Sequence, residues 1–242
     1  MKRISTVNFS FSTSEIKNNS NNKDVWHRFV RKKEAELIFN KFKPKQFKKG
    51  LEIGAGDGIQ SQIVSSFCGE YICTYYSEDE ILNHGKINTS SSKKNIKYLA
   101  LDAHDLKGLK NQSFDLIYSS NVLEHLKDIQ KALSEFDRVL RDDGLMIHVM
   151  PNRIWKISSF VLNLLLLTPQ IKVHGSSKNH FHEFYLFGIN RWLKVFKESG
   201  YEIVKLINMP FYTGTQNRLS FITNLGNRIG LSSSVAYFVK KR

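Results

Sequence analysis

Three glycines at alternate positions, Gly54, Gly56 and Gly58, follow an apolar run that ends at Ile53. Glycine adopts left-handed backbone angles at little cost, and it lets the main chain lie directly against a ligand. A glycine-rich turn between a strand and a helix is typical of α/β folds that bind nucleotides. This turn constrains the fold more than any other feature, and it leaves open which nucleotide is bound.

Alternating patterns on both sides of the turn indicate an α/β fold. Five strand-like runs precede position 152, namely KKGLEIG, YICTYY, IKYLALD, SFDLIYSS and GLMIHVMP. Helical patterns separate them, which predicts a doubly wound, Rossmann-like sheet. Two later runs, YEIVKLINM and SVAYFVKK, complete seven strands, mostly parallel with an antiparallel last strand. The break after Pro151 predicts a helical and loop insertion at about 152–190, after the fifth strand.

Three further segments have distinct patterns. Residues 25–42, VWHRFVRKKEAELIFNKF, have helical spacing and are expected beside the first strand. Residues 121–140, NVLEHLKDIQKALSEFDRVL, have the pattern of one long amphipathic helix. Residues 173–184, VHGSSKNHFHEF, have the composition of a polar, histidine-rich loop.

The length of 242 residues fits one large domain with an extension. Residues 1–22 are rich in Ser and Asn and are predicted to form a flexible arm, which leaves residues 23–242 as the domain. The sequence shows neither an apolar run of spanning length nor a secretory pattern, so we expect a cytoplasmic protein. Cys68 and Cys73 are then two reduced thiols.

The net charge of +14 is concentrated at the two ends of the chain. Residues 1–50 hold 13 Lys and Arg against 4 Asp and Glu, and residues 151–242 hold 13 against 3. Such flanks suit anionic lipid headgroups, nucleic acid or an acidic substrate, and they equally suit a solvated surface. Charge alone therefore does not identify a partner.

The residues after the turn exclude two nucleotide classes. A dinucleotide fingerprint places its third glycine where this chain has Ile59. The phosphate loop of nucleoside triphosphatases needs a Gly-Lys-Ser/Thr run, which does not follow here.

Motifs further along the chain supply the missing identity. In order they are LEIGAGDG, LALDAHDL, SFDLIYSSNVLEHL and FDRVLRDDGLMIHVMPN, which are distributed over residues 51–152. In these motifs the chain resembles the class I S-adenosylmethionine-dependent methyltransferases, in particular their small-molecule, type 11-like group. HEFYLFGINRWLKVFKESGYEI looks like the family's late helix and sixth strand.

The resemblance implies S-adenosylmethionine as the cofactor. The glycine turn would lie against its methionyl part, Glu52 near its ammonium group, and Asp102 would accept a hydrogen bond from the adenine amine, with the backbone N–H of Ala103 close to a ring nitrogen. The residues predicted to bind the cofactor are Glu52, Gly54, Ala55, Gly56, Gly58, Tyr75, Asp102, Ala103, Ser119 and Asn121.

One position departs from the family pattern. The family usually has a carboxylate at the end of the second strand that binds both ribose hydroxyls, and this chain has Tyr75 there. Glu78 or Asp79 would have to reach the ribose from the next turn, or the tyrosine would stack on the adenosine.

Methyl transfer to a hydroxyl requires a base near the acceptor. We predict His125 as that base with Glu124 as its catalytic neighbour, because imidazole titrates near neutral pH. On a continuous helix Asn121 and His125 would share one face, whereas Leu123 and Leu126 would turn toward the core. The alternative is that His125 only supports the shape of the cofactor or substrate site.

A metal-dependent variant stays open at this stage. Two subgroups, the ubiquinone-pathway O-methyltransferases and the small-RNA 3′-end 2′-O-methyltransferases, carry a Glu-x-x-Glu-His run that can bind a divalent metal. Here Asn121 occupies the first carboxylate position, although Glu124, His125 and one of His180 or His182 could supply three ligands. We predict activity without a metal.

The insertion is expected to form the substrate side. Residues 157–167, ISSFVLNLLLL, lack charge and are too short to span a bilayer, so they form either a lid or an interfacial helix. His180 and His182 are the predicted substrate-binding residues; His174 is a third histidine of this region.

These observations predict a methyltransferase that acts on a hydroxyl of a small or lipid-linked molecule, such as a saccharide or quinone precursor. The lipid-linked form would bring peripheral membrane contact through 157–167. Two alternatives remain, an RNA-directed methyltransferase and a non-catalytic binding module with a decayed cofactor site. We do not expect nucleic acid as a partner, because no added recognition domain is evident.

Overall fold

A computed structural model of the chain describes residues 14, 23–41, 46–88, 93–165, 173, 177–212 and 220–242. Within these ranges seven strands form one sheet, and they span Phe47–Ile53 (β1), Cys68–Tyr75 (β2), Ile96–Ala100 (β3), Phe114–Ser120 (β4), Leu140–Pro151 (β5), Tyr201–Asn208 (β6) and Ser234–Lys241 (β7). The α-helices of the domain span Lys23–Glu36 (α1), Ile59–Val64 (α2), Glu78–Asn88 (α3), Ile129–Val139 (α4), Arg153–Leu165 (α5), His180–Leu186 (α6), Ile189–Glu198 (α7) and Ser220–Arg228 (α8).

The sheet order is β3-β2-β1-β4-β5-β7-β6. β1 to β5 pair in parallel, and β7 lies antiparallel between β5 and β6. The predicted fold class, a doubly wound and mostly parallel seven-stranded sheet with an antiparallel last strand, is therefore confirmed. The strand order reverses between β1 and β4, which makes the carboxyl end of these two strands the topological switch point where ligands bind in such sheets.

Helices cover both faces of the sheet and bury a separate core on each. One core joins Leu51 and Ile117 to Phe136 of α4 and Phe196 of α7. The other joins β2, β4 and β5 to α2 and the turn that follows α1. Alternate residues of each strand point to opposite faces, so the strands that carry the switch point are held from both sides.

The segment predicted as one long helix at 121–140 is instead a turn followed by a shorter helix, so that prediction is wrong. Asn121 has a left-handed backbone with φ of 54°, and Leu123–His125 form a single 3₁₀ turn. The α-helix begins only after Asp128, whose side chain accepts a hydrogen bond from Lys131 N at 3.0 Å. We call residues 121–125 the β4 exit turn.

Other predicted elements agree with the structure or need correction. The helix expected at 25–42 is present as α1 and continues as one π-helical turn at Leu37–Lys41. The histidine-rich segment predicted as a loop contains α6, because Asn179 Oδ1 caps its start by accepting from His182 N at 2.8 Å. The arm predicted at 1–22 and His174 lie outside the described residues, apart from residue 14. Within the described ranges, each helix is too short or too polar to cross a bilayer.

Replacing Asp128 tests the boundary between the β4 exit turn and α4. We expect Asp128→Ala to lower the free energy of unfolding by about 1 kcal/mol, because an N-cap hydrogen bond is lost. A continuous helix predicts the opposite sign, since alanine is the better residue in a helix interior. Urea denaturation distinguishes the two, with Ser134→Ala on the exposed face of α4 as the control that changes stability by less than about 0.5 kcal/mol.

Candidate functional site

The glycine turn sits at the switch point with its backbone in the left-handed region. Gly54, Gly56 and Gly58 have φ of 66°, 56° and 71°. A Cβ built on Gly56 would meet no atom within 4 Å, so the space beside this backbone is open to a ligand. A Cβ on Gly54 would approach Val122 Cγ2 to 2.8 Å. The glycine turn and the β4 exit turn are therefore in contact, and only glycine permits that approach.

The end of β2 holds the glycine turn in place. Ala55 N donates to the carbonyl of Thr74 at 3.0 Å, and Thr74 Oγ1 donates to the carbonyl of Glu52 at 2.9 Å. Ala55 and Gly58 are buried, whereas Gly54 and Gly56 are exposed. The exposed pair is the part of the turn that a ligand can reach.

Glu52, predicted near the cofactor's ammonium group, is 2% exposed. Cys73 Sγ lies 3.5 Å from its Oε2, and Ser61 and Tyr71 are close neighbours. Burial raises the pKa of this carboxyl to about 7, an effect that these neighbours only partly oppose. If a cation binds at the glycine turn, the Glu52 carboxyl would interact with it from a buried position rather than across open solvent.

The ring of Tyr75, at the end of β2, is buried and not accessible to solvent. The side chain is 2% exposed and packs near Tyr98, with 6.2 Å between ring centroids. Burial also raises the pKa of its phenol. Glu78 and Asp79 are exposed in the first turn of α3, so they are the accessible carboxylates next to this position. That Glu78, Asp79 or Tyr75 contacts the ribose is still a prediction.

Asp102 and Ala103 lie just after β3, as predicted. The Asp102 side chain is 44% exposed, and His104 donates to its Oδ1 from backbone N at 2.8 Å. That hydrogen bond is the main reason why the pKa of Asp102 is lowered. The carboxylate is thus ionised and accessible at neutral pH, as an acceptor for an adenine amine must be.

Ser119 is buried and faces the core. Its Oγ lies 2.7 Å from Nδ1 of His148, a buried residue of β5 stacked between Phe136 and Phe196. Burial lowers the pKa of His148 to about 3, so the ring is neutral. The predicted cofactor contact of Ser119 could therefore be made only by its backbone.

The β4 exit turn brings the two predicted catalytic residues together. Glu124 is buried, and burial raises its pKa to about 7. His125 is 42% exposed, and its Nε2 lies 4.0 Å from Glu124 Oε1. A buried carboxyl beside an accessible imidazole suits proton transfer to a group in the adjacent space. The expectation that Asn121 and His125 share a helix face is wrong, because these residues form a turn.

Arg31 on α1 connects three parts of this region. Its Nη1 donates to Glu34 Oε2 at 2.8 Å and to Asn121 Oδ1 at 3.1 Å. Glu34 is buried and accepts a hydrogen bond from Ser234 at the start of β7. The carbonyl of Arg31 accepts from Gln60 Nε2 of α2 at 2.9 Å. α1 therefore fixes the β4 exit turn and the helix that follows the glycine turn.

Sequence reasoning missed the contact of Arg31 with the β4 exit turn, because a hydrogen bond to Asn121, 90 positions away, leaves no local pattern. The Arg-x-x-Glu spacing of Arg31 and Glu34 was the available signal, since residues three apart meet on a helix. His104 lies within the motif LALDAHDL, and nothing in that local pattern indicates its role.

α5 and α6, which belong to the predicted substrate side, are held together by an ion pair. Lys156 Nζ and Glu183 Oε2 form a buried ion pair at 2.5 Å, and His180 Nδ1 lies 3.5 Å from the same oxygen. His182 Nδ1 accepts from Lys178 N at 3.1 Å. Trp155 of α5 packs in a small cluster with Trp26 of α1 and Tyr212, which places this part of the insertion beside α1.

In the part of the chain that the structure describes, no three His, Cys, Asp or Glu side chains cluster closely enough to hold a metal ion. Arg31 donates to Asn121, the position at which the metal-binding subgroups have a carboxylate.

Comparison with known proteins shows which family the middle of the chain resembles. Residues 51–148 match a family model described as a methyltransferase domain. A ubiquinone biosynthesis O-methyltransferase from Bartonella bacilliformis is 30% identical over 108 residues, which cover 45% of this chain and 43% of that protein. The chain spans about half the length of the curated relatives that it matches.

Solved structures share the fold over nearly the whole chain. A SAM-dependent methyltransferase from Aquifex aeolicus has a TM-score of 0.59 at 12% identity, covering 95% of this chain and 98% of that chain. N-methyltransferase NodS from Bradyrhizobium japonicum, in complex with S-adenosyl-L-homocysteine, has a TM-score of 0.59 at 14% identity, covering 94% and 97%. At such identities the likeness shows the fold.

The two buried carboxyls predict a pH-dependent stability. Both have folded-state pKa values near 7, above the usual 4.5, so burial of their charged forms lowers stability as pH rises from 5 to 8. We expect Glu52→Gln and Glu124→Gln each to remove on the order of 2 kcal/mol of that loss, measured by urea denaturation at pH 5 and pH 8.

Glu135→Gln is the control for this experiment. Arg138 lowers the pKa of Glu135, so that group contributes a constant stability throughout this pH range. If the free energy of unfolding of Glu52→Gln and Glu124→Gln changes with pH as much as that of the unmodified protein, the raised pKa values of these two carboxyls would be contradicted.

Proposed function

We propose that this chain, which belongs to the class I S-adenosylmethionine-dependent methyltransferases, transfers a methyl group to a hydroxyl of a small or lipid-linked molecule. The supporting observation is the contact between Gly54 and Val122, which sets the glycine turn against the turn that carries Glu124 and His125. Cofactor and proton acceptor then share one edge of the sheet.

The residues at this edge fit S-adenosylmethionine. The open space at Gly56 admits the methionyl part, and Asp102 is an exposed, ionised acceptor for the adenine amine. When bound, S-adenosylmethionine supplies an electrophilic methyl group on a positively charged sulfur. Glu52 adds a carboxyl beneath the turn whose pKa, near 7, a neighbouring positive charge would lower.

His125 acts in this proposal as the general base. Its accessible imidazole takes the proton from the acceptor hydroxyl, and Glu124 beside it stabilises the imidazolium that forms. Arg31 holds the turn through Asn121, so the base keeps its position relative to the cofactor.

We propose that the transfer needs no metal ion. The fixed charge of Arg31 lies at Asn121, where a metal site of the ubiquinone-pathway kind would need an anionic ligand. A turnover assay with and without a chelator tests this point; full loss of activity, restored by Mg²⁺ or Zn²⁺, would refute it.

An apolar surface beside α5 favours a lipid-linked acceptor. Ile157, Phe160, Val161 and Leu164 are exposed along one face of α5, whereas Lys156 beside them is buried in its ion pair with Glu183. A groove of about 440 Å³ between α5 and α8 has an apolar lining that includes Ile154, Phe211 and Leu225. Such a surface suits a hydrocarbon chain or the edge of a membrane.

Charge complements this surface. Residues 151–242 hold 13 Lys and Arg against 3 Asp and Glu, a balance that attracts anionic lipid headgroups. The name of the Bartonella relative, a ubiquinone biosynthesis O-methyltransferase, is consistent with methyl transfer to an oxygen of a small molecule. We propose peripheral membrane contact through 157–167 on this basis; residues 166 and 167 lie outside the described part. The proposed location is the cytoplasmic side of a membrane.

Replacing His125 tests the catalytic proposal. Turnover is followed as S-adenosylhomocysteine formation with extracted lipids and sugars as acceptors. We expect His125→Asn to lower kcat by about 100- to 10,000-fold, because the general base is lost. The affinity for S-adenosylhomocysteine should change by less than about threefold.

The split between turnover and affinity decides the role of His125. A parallel loss of both would mean that the side chain supports the cofactor site rather than removing a proton. Unchanged kcat in His125→Asn would exclude His125 as the base.

Vesicle co-sedimentation tests the membrane proposal. We expect the protein to sediment with anionic phosphatidylglycerol vesicles, and Leu164→Asp to reduce the bound fraction several-fold, because a charge is placed where 66% of an apolar side chain is exposed. Ser134→Asp, on the exposed face of α4, makes the matched charge change and should leave binding intact. If Leu164→Asp binds the vesicles as well as the unmodified protein does, the proposal that this face of α5 contacts the membrane is wrong.

A further inference from the structure

Asp102 and His104 form a hydrogen-bonded unit at the end of β3. Asp102 Oδ1 accepts from His104 backbone N at 2.8 Å and lies 2.6 Å from His104 Nδ1. Among the described residues, no other group donates a hydrogen bond to this carboxylate. Its second oxygen, Oδ2, is therefore left for a ligand.

The other ring nitrogen of His104 fixes where the ring proton lies. The backbone N–H of Asp128 donates to His104 Nε2 at 3.3 Å. A backbone N–H can only donate, so Nε2 must be unprotonated and the ring proton must reside on Nδ1. Nδ1–H then donates to Asp102. The neutral Nδ1–H tautomer is the one form of the ring that makes both hydrogen bonds.

We propose that His104 is a positioning residue for recognition of the adenine base. It holds Asp102 Oδ1 so that Oδ2 accepts from the exocyclic amine. This inference rests on the proposed function, because it assigns Asp102 to the cofactor. His104 touches neither the reacting atoms nor the methyl group, so its effect is on the affinity and base preference of the cofactor site.

The same ring links the adenine side to the catalytic side. Asp128 follows the β4 exit turn by three residues and caps α4 through its side chain. Its backbone N–H is the group held by His104. One imidazole thus bridges the carboxylate after β3 and the segment that leads from Glu124 and His125 into α4.

Two substitutions separate the hydrogen bonds of His104 from its bulk. Glutamine carries an amide N–H that can donate to Asp102 and an amide oxygen that can accept from Asp128 N, as the neutral imidazole does. Alanine can do neither. The titratable groups that face the ring are Asp102, Asp128 and, near Asp102, Lys131; both substitutions leave them unchanged.

Calorimetry with two ligands tests the inference. S-adenosylhomocysteine carries the exocyclic amine, and S-inosylhomocysteine carries an oxygen there that would face the Asp102 carboxylate. We expect the unmodified protein to prefer the adenosyl ligand by about 100-fold or more, because the mismatch leaves polar groups unpaired. His104→Ala should lose about tenfold in adenosyl affinity and most of the preference. His104→Gln should stay within about threefold of the unmodified protein.

The outcomes distinguish this inference from the proposed function. Unchanged affinity and preference in His104→Ala would overturn the role of His104 while leaving the methyltransferase assignment intact. Absence of S-adenosylhomocysteine binding by the unmodified protein would contradict the proposed function itself. ¹⁵N NMR of the histidine ring tests the geometry without cofactor, and a proton on Nε2 instead of Nδ1 would also overturn the inference.

Discussion

The close approach of Gly54 to Val122 is the contact on which the arrangement of this site depends. β1 and β4 are adjacent and parallel, so the turns that follow them lie at the same edge of the sheet. A side chain at position 54 would collide with Val122 and keep these two turns apart. With glycine there, the glycine turn contacts the turn that carries Glu124 and His125. The proposed cofactor binding and proton transfer would then take place at one edge of the sheet.

α1 adds a second constraint from outside the segment that matches the family model. Its Arg31 neutralises the buried Glu34 and also bonds Asn121, so a buried charge network holds a residue with φ of 54°. Burial alone would lower the pKa of Arg31, yet the net shift is upward, because Tyr212, Glu34 and Glu124 favour its charged form. Such networks are costly to break, which gives the β4 exit turn a defined shape.

Local patterns predicted the fold well, because the hydrophobic periodicity of strands and helices and the glycines of a turn are both recognisable from consecutive residues. The seven strands and the turn at Gly54 to Gly58 followed from them. The β4 exit turn was missed, since helical spacing continues through it and its left-handed residue is held by Arg31, 90 positions away. Contacts between distant side chains leave no period, so the roles of Arg31 and His104 became visible only in three dimensions.

Isothermal titration calorimetry with S-adenosylhomocysteine tests the central claim, that the open backbone at Gly56 is a cofactor cradle. The account predicts saturable binding by the unmodified protein and none by Gly56→Val. Gly108→Val is the matched control, because Gly108 also has a left-handed φ, 90°, with open space around it, and this variant should bind normally. Absence of binding by the unmodified protein, or equal binding by Gly56→Val, would contradict the account.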